Sequence, residues 1–267
     1  ENVNPIVRRA SEDPVTQDRL RYAPFYLPFE KQKGSRVWLN GQEMVMLASN
    51  EYLGLSEHPK VIEAGKKAFD QWGSSTTGAR VSNGSRAYHV EIEQKVARFL
   101  GKEDCHVSAA GYLSCMSAVC TFAQRGDLIL ADKNIHSSLV TGMRLSDARV
   151  ERFIHNNPGD LQEILATEKP ETAKIITFDG IYSMEGHLAP VPELVQLAKT
   201  YNCFTVMDDA HGFGVMGPGG KGTAAHFGCT DDIDIICGSF SKSLSSIGGF
   251  VAGSKSLIEY LRTHSKQ

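Results

Sequence analysis

Lys242 is the residue in this chain best placed to do chemistry. It lies in a stretch, Gly238 to Gly249, that reads GSFSKSLSSIGG and links two short apolar runs. An amine in such a loop can form a Schiff base with an aldehyde cofactor. Ser239, Ser241, Ser243, Ser245 and Ser246 around it offer hydroxyl donors suited to an anion such as phosphate. Taken alone, the loop is better explained by a solvated surface lysine, so other residues must decide.

Asp208 ends the apolar run Phe204 to Met207, which places its carboxylate at the dry end of a strand. A buried carboxylate is costly unless paired. A protonated pyridine nitrogen is one such partner, and holding it protonated is what makes pyridoxal phosphate an electron sink. A helix cap and a metal ligand are the alternatives for Asp208, and Asp209 is expected to face solvent or backbone. Gly111 and Tyr112 open a helix, where free N–H groups and the helix dipole favour a phosphate. Ser239 and Ser241 add hydroxyls to the same anion. His136 precedes a helix and can lie flat on an aromatic cofactor or simply cap the helix. His211 and Ser183 can hold a phenolic oxygen. His89, His106, His155, His187 and His226 stand in no comparable constellation.

These residues need a scaffold that brings them together. Short apolar strands are expected at Cys105–Ser108, Leu128–Ala131, Val150–Ile154, Lys174–Phe178, Phe204–Met207 and Ile233–Cys237. Helical patterns cover Pro59–Trp72 and Tyr88–Leu100, then Tyr112–Ala123, Ser137–Ser146, Pro158–Ala166 and Val191–Tyr201 between the strands. That alternation predicts an α/β fold, a mostly parallel sheet with helices on both faces. In such sheets ligands bind beyond the carboxyl ends of the strands. Gly111, His136, Ser183, Asp208, His211 and Lys242 all follow strand ends. Too few residues separate Cys237 from Gly249 for a parallel crossover, so Gly249–Gly253 is predicted to run antiparallel.

The remaining features bound the function. The chain has 267 residues and a net charge of -3, with basic residues scattered, which gives no pull toward nucleic acid. No apolar run is long enough to cross a bilayer, and no signal peptide is seen at the front. The chain begins with Glu, so its true amino terminus is expected to lie upstream. Six cysteines show neither metal-ligand spacing nor the density of a disulfide scaffold, and are read as reduced thiols of a cytoplasmic protein. Residues 1 to about 36 are polar and poorly periodic. Ala23 to Phe29 is expected to pack as an arm on something else, such as a partner subunit. Asn40-Gly41 between Val37-Trp38-Leu39 and Met44 to Leu47 signals a hairpin. Pro59–Trp72 should present Ile62, Phe69 and Trp72 near one face. The expected division is an arm and hairpin over 1–48, a large domain over 49–253, and over 254–267 the start of a helix.

The ordered set of motifs resembles the α-oxoamine synthases, pyridoxal-phosphate enzymes of the aspartate-aminotransferase fold. It runs through SNEYLGL (Ser49 to Leu55), the Ala110-Gly111-Tyr112 turn, the His136 loop, DGIYSMEG (Asp179 to Gly186), Asp208-Asp209-Ala210-His211, Gly219 to Thr223, and Gly238 to Ser243. The resemblance implies the large domain of the fold type I transferases and the joining of an amino acid to an acyl thioester with loss of carbon dioxide. It implies Lys242 as the Schiff-base lysine, Asp208 as partner of the pyridine nitrogen, and His136 on the ring. His211 and Ser183 would contact the ring oxygen, with Gly111, Tyr112, Ser239 and Ser241 on the phosphate. Asn50 would approach the substrate across a homodimer interface, and Arg80 would lie near the thioester carrier. The FSKS and GGFVAG wording is most similar to the bacterial serine palmitoyltransferase branch of sphingolipid biosynthesis. That branch implies serine, a long-chain acyl-CoA and a 3-ketosphinganine-type product. Members using glycine or alanine (2-amino-3-ketobutyrate CoA ligase and 8-amino-7-oxononanoate synthase types) share nearly the same core, and some subunits of this fold are non-catalytic. Thr77-Gly78-Ala79-Arg80 departs from the Gly-Ser-Arg of many members, which leaves room for an acyl carrier protein. The family's carboxy-terminal domain, with an arginine for the substrate carboxylate, is not within these residues.

Overall fold

The computed structural model describes residues 3–22 and 25–265. Two compact units divide the chain, Glu1–Ser49 and Asn50–Gln267. The first contains α1 (Pro5–Ser11), α2 (Pro14–Tyr22) and a three-stranded antiparallel sheet of β1 (Lys31–Lys33), β2 (Arg36–Leu39) and β3 (Gln42–Val45). The hairpin forms as expected, with Asn40 and Gly41 both at positive φ and Leu39 opposite Gln42.

The two helices are a correction to the irregular segment read from the sequence. Asn4 caps α1 by accepting from the Ile6 N–H, the Asp13 carboxylate accepts from the Thr16 N–H, and each helix begins on a proline. Their ends were written in the sequence, but α1 buries no residue, so there was no apolar period to see. Ala23 and Pro24 of the expected arm lie outside the described residues. Phe25, Leu27 and Phe29 are exposed.

The second unit carries α3 (Pro59–Trp72), α4 (Ala87–Leu100), β4 (Asp104–Ser108), α5 (Gly111–Cys120), β5 (Leu128–Asp132), α6 (Ser137–Leu145), β6 (Arg149–Phe153), α7 (Pro158–Thr167) and β7 (Lys174–Asp179). It continues with α8 (Val191–Thr200), β8 (Cys203–Asp208), α9 (Thr223–His226), β9 (Ile235–Ser239), β10 (Gly249–Gly253) and α10 (Lys255–His264). Seven strands form one sheet in the order β4-β10-β9-β8-β7-β5-β6. All run in one direction except β10, which is antiparallel to both neighbours, β4 and β9. Every residue of β5, β7, β9 and β10 is buried. Because alternate side chains point to opposite faces, both faces of the sheet must be covered.

One strand is displaced from its expected place. β9 starts at Ile235 because Ile233 ends a 3-10 turn and Asp234 serves as a staple, accepting from the Thr205 N–H at 2.8 Å and its hydroxyl at 2.9 Å. The cysteines are all free, and all but Cys203 are buried. α3 forms over the expected residues, yet Ile62, Phe69 and Trp72 remain 44%, 64% and 38% exposed, so its apolar face is uncovered. α10 packs on the sheet, burying Ile258 and Leu261.

Candidate active site

Three strand ends build the floor of the site. Asp179 at the end of β7 stands in register beside Asp208 at the end of β8, and Asp208 stands beside Cys237 of β9. Asp208 is 5% exposed, and its Oδ1 accepts the Ala210 N–H at 3.0 Å. Behind it lie the buried thiols of Cys115 and Cys237, whose sulfurs and an Asp208 oxygen lie within 4.8 Å of one another. Asp179 Oδ1 accepts the His136 N–H at 3.2 Å, which ties the His136 loop to β7. Burial and the neighbouring Asp208 push the Asp179 carboxyl up, well above the carboxylate range. This is a pocket floor short of positive charge.

Lys242 approaches from the loop between β9 and β10. That loop is closed by Phe240 N–H to Gly248 C=O at 3.0 Å and Ser246 N–H to Phe240 C=O at 2.9 Å. The buried Ser243 hydroxyl roots it by donating to the Phe213 carbonyl at 2.7 Å. Gly248 turns the chain back into β10 with φ at +118°, a region closed to most side chains. Lys242 Nζ lies 2.7 Å from His211 Nε2, and His211 Nδ1 lies 2.6 Å from the Tyr52 hydroxyl. Tyr52 in turn reaches Asn50 Oδ1 at 3.3 Å. Burial lowers the Lys242 pKa, while the charges of Asp208 and Asp179 act in the opposite sense, so the amine and both acids share one field. Burial, with Lys242 beside it, lowers His211 to about 4, which leaves a neutral imidazole at pH 7.

An anion cradle adjoins this group. α5 starts at Gly111 with no side chain capping it, so its first-turn N–H groups keep their hydrogen-bonding capacity. Ser239 abuts this helix start: a Cβ on Gly111 would come 2.5 Å from the Ser239 Cβ. Ser239 and Ser241 hydroxyls pair at 2.6 Å, and the Ser241 N–H donates to Ser239 Oγ at 3.1 Å. An uncapped helix N-terminus with two hydroxyls against it suits a phosphate. Together with a buried acid and an amine, these residues fit pyridoxal phosphate.

The other expected residues fall as follows. His136 caps α6, with Nδ1 2.7 Å from the Ser138 hydroxyl, and its half-buried ring stands edge-on to Tyr112 at 6.2 Å. Tyr112 turns its hydroxyl to Thr141 at 2.7 Å. Ser183 is exposed on the turn after β7, and Asn50 is exposed but linked through Tyr52 to His211. Arg80 is engaged elsewhere, donating to Glu93 Oε1 at 2.5 Å and to the Val107 carbonyl at 2.9 Å.

Asp209 does not face solvent. It is 1% exposed and accepts from the Thr223 N–H at 2.8 Å and the Thr223 hydroxyl at 2.6 Å. It therefore staples the chain after β8 to the Gly219–Thr223 stretch and diverges from Asp208. Burial pushes its carboxyl up to about 7. Tyr52 and Asp179 were not picked out from the sequence. The signal for each was its place inside a motif, two residues after Asn50 and at the head of DGIYSMEG.

A family model for Aminotransferase class I and II matches residues 42–267. A serine palmitoyltransferase of Sphingobacterium spiritivorum is 40% identical over 242 residues, which is 91% of this chain and 61% of that protein. An 8-amino-7-oxononanoate synthase of Bacillus subtilis is 36% identical over 233 residues, 87% of this chain and 59% of that protein. Among solved structures, Sphingomonas wittichii serine palmitoyltransferase superposes with a TM-score of 0.93 at 32% identity, covering 99% of this chain and 68% of that one. The chain belongs to the class I and II aminotransferase family and, within it, to the α-oxoamine synthases, as the motifs implied. It spans about three fifths of the length of the curated relatives it matches.

Proposed function

We propose that the protein is a pyridoxal-phosphate-dependent acyltransferase that condenses serine with a long-chain acyl thioester, releasing carbon dioxide and giving an α-amino ketone. The observation that carries this reading is the 2.7 Å approach of Lys242 Nζ to His211 Nε2 beside the Asp208 strand end, on a scaffold shared with serine palmitoyltransferases. When bound, pyridoxal phosphate supplies a sink for the negative charge left at the substrate α-carbon.

The chain's own residues do the rest. Lys242 holds the cofactor through its amine and, once released, moves the proton at the α-carbon. Asp208 keeps a proton on the ring nitrogen, an arrangement its dry, cation-poor setting favours. His211, neutral and fixed between Tyr52 and Lys242, serves the phenolic oxygen together with Ser183. His136 covers the ring, while Ser239, Ser241 and the helix start at Gly111 and Tyr112 hold the phosphate. Asn50 meets the substrate, in a cytoplasmic homodimer whose sites lie at the interface. A contact between Arg80 and the acyl carrier, whether coenzyme A or a carrier protein, requires the guanidinium to leave Glu93.

A second reading has its own support: the 36% identity to an 8-amino-7-oxononanoate synthase, which favours alanine or glycine as the amino acid. The deciding experiment mixes the purified, cofactor-loaded protein with serine, alanine and glycine in turn, and then with acyl thioesters of graded length. Spectral change with serine and product with long chains support the first reading. Product with alanine and shorter chains replaces it with the second. No thioester-dependent product with any amino acid would overturn both.

A further inference from the structure

A polar chain beside the site is left over from this account. Asp132, at the end of β5, is fully buried and accepts N–H groups from Asn134 and Asn156, each at 2.8 Å. His155 Nδ1 lies 2.9 Å from Asp132 Oδ1, and His155 Nε2 lies 3.1 Å from His187 Nδ1. The two imidazoles are nearly coplanar, 18° apart, with centroids separated by 5.4 Å. That separation is what the N···N distance plus two ring radii gives, so the nitrogens face each other along one line. A metal ion between them would need about 4 Å, two metal–nitrogen bonds end to end. The contact is therefore an N–H···N hydrogen bond.

Its direction follows from the donor inventory. An ionised carboxylate only accepts, so His155 Nδ1 carries a proton and donates to Asp132. A neutral His155 then has a bare Nε2, and the proton in the second bond belongs to His187 Nδ1. The donor histidine sits on a hairpin that runs from Gly180 to Ala189, closed by Tyr182 N–H to His187 C=O and Ala189 N–H to Gly180 C=O, both at 3.0 Å. Two further side chains tie this hairpin to the same neighbourhood: Asn156 donates to the Leu188 carbonyl at 2.9 Å and Asn134 to Glu185 at 2.8 Å. Ser183 lies on the hairpin, and His136 follows the segment that holds Asp132 and Asn134.

We propose that Asp132, His155 and His187 form a polarised clasp, with His187 as end donor, that positions the Ser183 turn against the His136 loop. His155 and His187 are positioning residues, acting through Ser183. The role toward the cofactor rests on the function proposed above, whereas the clasp itself does not.

Nitrogen-15 NMR of the imidazoles reads the polarity directly. Protonated Nδ1 and bare Nε2 are expected on both histidines, and a proton on His155 Nε2 would overturn the assignment. In hydrogen exchange, His187→Ala should open the Tyr182 and Ala189 amides about tenfold faster, a change of about 1.4 kcal/mol. Titration with pyridoxal phosphate should weaken about fivefold. His187→Asn keeps a donor near the Nδ1 position and should restore both. Unchanged exchange in His187→Ala sinks the clasp, and faster exchange with unaltered cofactor affinity sinks its positioning role. A wild-type protein that takes up no pyridoxal phosphate would instead overturn the functional reading, while the NMR and exchange results still decide the clasp.

Discussion

Glu93 and the Asp179–Asp208 pair, all buried acids of the large unit, are handled in opposite ways. Glu93 on α4 is 4% exposed and saturated: Arg80 and the Val107 N–H bond it, His106 Nδ1 lies 3.3 Å away and Arg262 3.5 Å away. Burial alone would raise its pKa, but the neighbouring His106 imidazole, the Arg80 guanidinium and the Val107 N–H outweigh that and hold it at about 2. Asp179 and Asp208 lie side by side, the carboxylate of each accepting one backbone N–H, and Lys242 offsets them through its field. A buried charge without a partner is a cost that folding alone does not explain. The saturated acid is a structural staple, and under the proposed function the under-compensated pair is where a cationic ring nitrogen would be received.

The contrast separates what mutations should do. Lys242→Ala should remove the cofactor's lysine-bound absorption band and cut turnover about a thousandfold or more, with folding stability nearly unchanged. A variant keeping both band and turnover would break the distinction from the site side. Arg80→Ala should do the reverse, costing about 3 kcal/mol in urea denaturation because it strips a cation from a buried carboxylate. Cofactor affinity should stay close to wild type. Loss of thioester binding without loss of stability would move Arg80 from staple to substrate contact.

The pH dependence of stability sharpens the same comparison. Glu93, lowered from 4.5 to about 2, stabilises the fold above its ordinary value, and that stability is lost as pH falls from about 4.5 to about 2. Asp209, raised from 3.8 to about 7, acts with the opposite sign: its contribution is present below about 3.8 and is lost as pH rises toward about 7. Denaturation curves across pH should show the second fall in the wild type and not in Asp209→Asn, at a cost of about 1–3 kcal/mol for the acceptor lost toward Thr223. The smallest effect is expected at Ser241→Ala, about fivefold in cofactor affinity for one hydroxyl.

What could be read from the sequence was what is local. Apolar runs and caps placed the strands of the sheet, and the short span before Gly249 gave the reversal of β10. Lys242, Asp208 and His211 stood out because each follows a strand end in a small or polar loop. Tyr52 did not, since its partner is His211, far along the chain, and an exposed tyrosine in a loop carries no period. For Asp209 the backbone alternative holds and the solvent one fails, because only folding brings the Thr223 N–H and hydroxyl to it. The histidine clasp has the same origin: His155 and His187 are unremarkable until β5, β6 and the hairpin after β7 come together. Likewise, no local pattern told that the apolar face of α3 would stay uncovered.

The central claim is that Lys242 faces the aldehyde carbon of a ring whose nitrogen Asp208 holds. It is tested most directly by adding pyridoxal phosphate to the protein, reducing with borohydride and mapping the modified peptide by mass spectrometry. One stoichiometric pyridoxyl adduct is expected, on Lys242, with a much weaker one in Asp208→Ala. An adduct on a different lysine, or none, would contradict it.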